Sequence, residues 1–337
     1  MPSQESSLLS QTFSDLPTNF SVLDLELLHF WTTSNVFNFT NLPSGANIFR
    51  TTFIEIALEH IFLMHEILSL SALHLAHLKP NKSTIYRTAA VTHHAAALLL
   101  FQPQIANLTP ENCNACFAFS TLLSIHIWAS QSPAEASNLF FSLESSQNSD
   151  TPKITWFKLL RGLRAVIRAG WPWIEAGPLS SVFKPWKGLD TFDLPPPDPI
   201  EAKHLDDLAE AWSTRSAHQM PVPEKHKETL ETALRALRRV FGLSNYNPEI
   251  SRHAATVSWM HLIQEEFVEL IEAKVPEALL LVACYCVLLK RLQNMWWLEG
   301  KAESLLVSVR AALGDGWERW LQWPIYEVFG IDIASGN

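Results

Sequence analysis

Seven of the 13 histidines fall between residues 60 and 126: His60, His65, His74, His77, His93, His94 and His126. Imidazole moves protons near neutral pH and ligates metals, and Glu66 adds a carboxylate to the same stretch. Zinc needs three or four converging ligands. His74 and His77 can share a helix face, but His65-Glu66 runs on into Ile67-Leu68-Ser69 and not into the second histidine of a zincin helix. The spacing therefore assigns no metal, and these histidines are read as core or surface side chains whose polar tips find partners. Glu66, His93, His94, His126 and Tyr285 stand as candidate catalytic groups, because each puts polar chemistry onto a largely apolar helix.

The remaining short motifs carry less. Cys113-Asn-Ala-Cys116 has redox spacing, but a redox pair follows a strand and opens a helix, whereas this one is expected inside a helix as buried thiols. Asp206-Asp207-Leu208-Ala209-Glu210 has the spacing of the magnesium motif of class I terpene synthases, yet no second metal motif follows, so it reads as a wet helix face. No GxGxxG, Walker loop or GxSxG occurs, and no cofactor is implied. The 13 tryptophans offer either core or pocket. Phe117, Trp128, Trp156, Trp171, Trp259, Trp296 and Trp297 are the candidate lining of an apolar ligand site.

These residues sit on helices. Leu63, Ile67, Leu70 and His74 fall on one stripe between Phe53 and Leu78. Thr109-Pro110-Glu111 has the cap, first-turn proline and carboxylate of a helix start. Pro223 to Phe241 is amphipathic, with Arg235, Arg238 and Arg239 on its wet face and Gly242 as the expected stop. Pro276 opens a helix, expected to run from Glu277 to Met295, that is apolar nearly all round up to Lys290 and must be enclosed by protein. No alternating strand pattern and no fixed repeat appear. The expectation is all-α: a polar tail over residues 1–20, then a single multi-helix orthogonal bundle over 21–337 around an apolar pocket. Polar Ser142–Pro152 and the proline-rich stretch 190–199 read as loops.

Composition narrows the partners. With 18% charged residues and a formal charge of −9, the chain has no basic surface for phosphate, so nucleic acid is excluded as a direct partner. The N-terminus shows no secretory signal, and the apolar run Ala278–Leu289 is about half a bilayer span. Four cysteines in apolar stretches suit a reducing compartment. The expected location is the cytoplasm, or the nucleus for a regulatory protein.

Taken in order, several segments resemble the regulatory domain of fungal sterol uptake control proteins and related zinc-cluster regulators. They are Leu27-Leu28-His29-Phe30-Trp31-Thr32-Thr33; His65 to Ala76; Tyr86, Ala90, His93 and Ala97-Leu98; Trp156 to Pro178 with its Gly170-Trp171-Pro172-Trp173 turn; Trp296-Trp297-Leu298-Glu299-Gly300; Arg310 to Gly314; and Trp320 to Pro324. The resemblance spans roughly residues 22–330. It implies a helical domain whose deep apolar pocket holds a sterol or similar lipid, often as a homodimer. The pattern departs at Glu66, where a small residue is usual, at His94 beside the expected His93, and at Ile61, where proline is common. Four cysteines, none before residue 113, cannot build the family's six-cysteine zinc cluster.

Two functions fit a lipophile pocket without that cluster. One is a cofactor-independent enzyme performing a cyclisation, isomerisation or pericyclic step on a terpenoid or polyketide, in which folding the substrate into its reactive conformer lowers the barrier by several kcal/mol. A donor aimed at a substrate carbonyl would add to this. The other is a non-catalytic sterol or lipid sensor acting through a partner protein. The missing output module and the departures at positions 66 and 94 favour the enzyme on sequence grounds.

Overall fold

The computed structural model describes residues 21–34, 48–141, 156–187, 196–213, 222–246, 250–292 and 294–331. Among these the chain is all-α, with thirteen α-helices joined by short 3-10 turns and no strand. The polar tail, the loop at Ser142–Pro152 and most of the 190–199 stretch lie outside the described residues.

In chain order the helices are α1 (Val22–Thr33), α2 (Phe53–Glu59), α3 (Ile61–Leu78), α4 (Ser83–Ala106), α5 (Cys113–Ser130), α6 (Trp156–Glu175), α7 (Pro199–Ser213), α8 (Glu224–Tyr246), α9 (Arg252–Leu262), α10 (Glu265–Glu272), α11 (Pro276–Lys290), α12 (Lys301–Leu313) and α13 (Glu318–Phe329). Two of them have no wet face. Every residue from Glu277 to Leu289 on α11 is buried, enclosed by α7, α8, α10, α12 and α13. Every residue from Phe62 to Ala76 on α3 is buried among α1, α2, α4 and α5. Each large apolar side chain so enclosed contributes about 1.5–3 kcal/mol. α3 and α5 are also long and apolar enough to cross a membrane, but most of each is packed inside the fold, as core helices are.

Several boundaries differ from the sequence expectation. The stripe from Phe53 to Leu78 is two helices, broken at His60, whose φ of −130° and ψ of 88° leave the helical region. Helix α11 stops at Lys290, where Lys290 reaches Glu303 and Arg291 turns to Glu201. Gly242 does not stop α8, which runs to Tyr246; an internal glycine costs about 1 kcal/mol, and the burial of Leu243 against Ile250 and Ala255 opposes it. Gly170 to Trp173 is helix and not turn, because Pro172 falls in the last turn of α6 and breaks little of the ladder. Cys113 opens α5 and is not within it, since residues 109–112 form a turn closed by Asn112, whose Oδ1 accepts the Thr109 N–H at 2.8 Å. Burial raises both thiols of the C-x-x-C, Cys116 to about 12, so they remain protonated.

The C-terminal end of α5 is capped by a buried cation. Lys301, 3% exposed at the start of α12, donates through Nζ to the carbonyls of Trp128 and, at 2.9 Å, Gln131. A positive charge at the negative end of a helix dipole, satisfying orphan carbonyls, is favourable. Desolvation nevertheless lowers the Lys301 pKa from 10.5 to about 8. Lys301→Met keeps the stem's packing and removes the donors, and should cost about 1.5–3 kcal/mol in urea denaturation at pH 7. The folded pKa lies below the unfolded one, so the unfolded state binds more protons in between. Wild-type stability relative to Lys301→Met should therefore rise as pH goes from about 8 to 10.5.

Candidate functional site

The helices create two polar features on opposite sides of α5. On one side Phe117, Thr121, Ser124 and Ile125, spaced as one helical face, border a cavity of about 400 Å³. Leu163 and Ile167 of α6, Val182 and Phe183 of the 3-10 turn Ser180–Trp186, and His253, Val257 and His261 of α9 close it. The volume lies in the range of small-molecule sites, and the wall is mostly apolar, with a few polar groups, as such sites require. Arg239 of α8 is its one formally charged lining residue among the described residues. Burial pushes His253 down to about 4, and burial together with Arg164 does the same for His261, so both imidazoles are neutral at physiological pH. They put polar atoms on the wall without a charge.

A recess of about 20 Å³ adjoins this cavity, sharing Ser124, Ile125, His253 and Val257 with it, and is bordered by Trp128, Tyr285 and Trp297. That is room for about one water molecule and not for a ligand. Tyr285 donates its hydroxyl to the Thr256 carbonyl at 3.3 Å, and burial raises its pKa.

On the other side of α5, three of the candidate groups converge. Glu66 of α3 is fully buried, with His94 of α4 and His126 of α5 against it. Its Oε2 lies 2.8 Å from His94 Nδ1 and its Oε1 3.1 Å from His126 Nδ1; the second contact lacks the alignment of a hydrogen bond. The rings stack 3.6 Å apart and 16° from parallel. Ser69 Oγ donates to the Ala90 carbonyl and lies 3.4 Å from His126 Nδ1. Burial alone would raise the Glu66 pKa, but His126 and His94 outweigh it and hold the carboxyl at about 2. A second chain runs beside it: Asp24 Oδ1 lies 3.0 Å from His93 Nε2, and His93 Nδ1 2.9 Å from His65 Nδ1. Desolvation, with His93, brings His65 down to about 4.

The structure thus brings Glu66, His94 and His126 together, puts His93 in a neighbouring chain, and leaves Tyr285 apart. Of these five, Tyr285 alone borders the cavity's recess, and none lines the cavity proper. Among the aromatic candidates, Phe117 lines the cavity, and Trp128 and Trp297 line the recess. Trp171 stands edge-on to Phe183 at 5.1 Å, behind the wall. Trp259 is core, its Nε1 donating to the Ala233 carbonyl and its ring 4.6 Å from Tyr285. Trp296 stacks on His74 at 4.6 Å, beside a separate groove. The side chain of Trp156 lies outside the described residues.

Sequence reasoning missed His253, His261 and Arg239 as lining residues, and Arg239 was expected on a wet face. Their helices are amphipathic in the ordinary way, so only the docking of α9 on α8 reveals which polar side chains turn inward. The acidic motif is a surface feature: Asp206 pairs with Arg238 and Glu210 with Arg319.

Removing Glu66 leaves two imidazoles around a buried void, so Glu66→Ala should cost about 3 kcal/mol or more in chemical denaturation, and the isosteric Glu66→Gln less. The folded pKa is below the unfolded value of 4.5, so this contribution is complete above pH 4.5 and fades as pH falls through about 2.

Residues 26–173 match the family described as fungal specific transcription factor domain. A Gibberella zeae protein described as a Zn(2)-C6 fungal-type transcription factor is 27% identical over 320 residues, covering 90% of this chain and 61% of its own length. Sterol uptake control protein 2 of Candida albicans is 28% identical over 178 residues, or 52% of this chain and 23% of its own. Its namesake in Saccharomyces cerevisiae is 28% identical over 183 residues, or 53% and 18%. The chain therefore spans about six-tenths of the first relative and a smaller part of the others. Over residues 26–173 the chain is thus similar to a fungal specific transcription factor domain, and it resembles fungal proteins described as zinc-cluster transcription factors and sterol uptake control proteins.

Proposed function

We propose that the protein is a regulatory ligand-binding domain that holds a sterol-like or other lipophilic molecule in the cavity between α5, α6 and α9 and passes its occupancy to a protein partner. The observation that carries this reading is the apolar wall of about 400 Å³. Relatives named as sterol uptake control proteins support it. A lipophile entering such a cavity gains about 25 cal/mol for each Å² of apolar surface removed from water, and neutral His253 and His261 can satisfy one hydroxyl or carbonyl without the desolvation of a charge. A homodimer in the cytoplasm or nucleus fits this role. A ligand shifts an equilibrium only where it binds two states differently, so the partner must read the surface that α6 and α9 present.

A second reading, conversion of the bound lipophile without a cofactor, draws on those same two imidazoles, which could polarise a substrate carbonyl. Glu66, His94 and His126 lie off the cavity wall and give it no support.

The purified protein should bind a fluorescent sterol with saturable, micromolar or tighter affinity, displaced by unlabelled sterol. Val257→Trp, which intrudes into the cavity, should weaken binding at least tenfold while the circular dichroism spectrum is preserved. Unaltered affinity in that variant would move the ligand elsewhere. Recovery of the ligand unchanged after long incubation supports the sensor; recovery of an isomer, lost with Val257→Trp, supports the enzyme.

A further inference from the structure

We propose that Glu66, His94 and His126 form a binding site for a divalent transition metal, with zinc as the best-fitting ion, independent of the lipophile cavity. Three helices deliver the three side chains: Glu66 from α3, His94 from α4 and His126 from α5. Their ligand atoms lie within 4.8 Å of one another. Two nitrogens and one carboxylate oxygen are the ligand set of open zinc sites, where a fourth position is left to water.

The two imidazole nitrogens approach different oxygens of Glu66, His94 Nδ1 at Oε2 and His126 Nδ1 at Oε1. With zinc–nitrogen and zinc–oxygen bonds of about 2.0–2.2 Å in a tetrahedron, neighbouring ligand atoms stand about 3.3 Å apart. The two carboxylate–imidazole separations are 2.8 and 3.1 Å. Glu66 is fully buried, yet only one of its oxygens has an aligned hydrogen bond. A carboxylate inside apolar helices is costly unless it is paired, and a cation between it and the two rings would take the place of the two imidazole contacts it has here. His94 keeps a side-chain exposure of 21%, which provides an entry path and room for a water ligand. The donor set of imidazole and carboxylate suits zinc, cobalt or nickel over calcium or magnesium.

The stacked rings impose one condition. Lone pairs of nearly parallel rings 3.6 Å apart lie in separate planes and cannot meet on one ion. Binding must swing one ring out of the stack. His94 is that ring, since His126 is held between Ser69 and Glu66 in the interior.

The test uses chelator-treated full-length protein titrated with zinc against a chromophoric competitor, with the bound metal counted by mass spectrometry after desalting. One equivalent per chain is expected, and cobalt should give the visible absorption of a four-coordinate site. His94→Ala, a partly exposed position that leaves the fold intact by circular dichroism, should weaken zinc binding at least 100-fold. His226→Ala, on another helix, should change nothing. Glu66→Gln and His126→Ala should match His94→Ala where they fold. In histidine NMR spectra, zinc should shift the His94 resonances as the ring leaves the stack. Absence of stoichiometric zinc in the wild type, or equal affinity in wild type and a folded His94→Ala, overturns the site. Sterol binding by Val257→Trp and zinc binding by His94→Ala are separate readouts, so either proposal can fail alone.

Discussion

The fold rests on the need to enclose helices that have no polar side. For α11 that means neighbours all round, which α7, α8, α10, α12 and α13 supply. Its polar ends are then the difficulty, and they are met by charges drawn from elsewhere. Arg291, just past the helix, reaches buried Glu201 of α7 at 2.6 Å and lies over the ring of Phe241 on α8. Asn245 of α8 donates to the other Glu201 oxygen at 2.8 Å. One interaction network thus terminates a helix and ties two others, α7 and α8, to it. Helix α3 poses the same problem in the N-terminal half and solves it with α1, α2, α4 and α5. Helix α5 stands between the two centres, and Lys301 of α12 pins its end.

That arrangement explains why the polar groups separate. The cavity lies between α5, α6 and α9, and its wall carries neutral polar groups and one arginine among the described residues. The buried acid–imidazole chains lie behind α5, where α3 and α4 meet it and α1 meets α4. A single helix of alternating faces, with Ser124 and Ile125 forward and His126 behind, keeps solvent-poor charge away from the apolar site. Uncompensated charge next to a lipophile would oppose its binding.

The pattern was legible where one helix decides its own fate. The enclosed character of α11 and the buried stripe of α3 follow from local composition. Endpoints were less legible, because they depend on partners far along the chain: α11 ends at Lys290 on account of Glu303 and Glu201, and α8 passes Gly242 because Leu243 finds Ile250. Glu66 and His94 stand out as polar residues on apolar helices, and their meeting is a matter of how α3 lies on α4, which spacing along either helix does not encode. The lining histidines of α9 were illegible for the same reason: an ordinary amphipathic helix does not announce that its polar side turns inward.

Helices α3 and α5, each 18 residues of predominantly apolar sequence, are long enough to be mistaken for membrane spans before they are covered. Covering them requires segments made later on the ribosome: α4 for α3, and for α5 both α6 and the lysine at position 301. A nascent chain that ends just past α5 therefore displays the face of that helix which α6 and Lys301 later cover. Such surfaces draw chaperones or aggregate. The same hydrophobicity that packs the finished core leaves α5 as the segment most exposed to misassociation until the later helices are made.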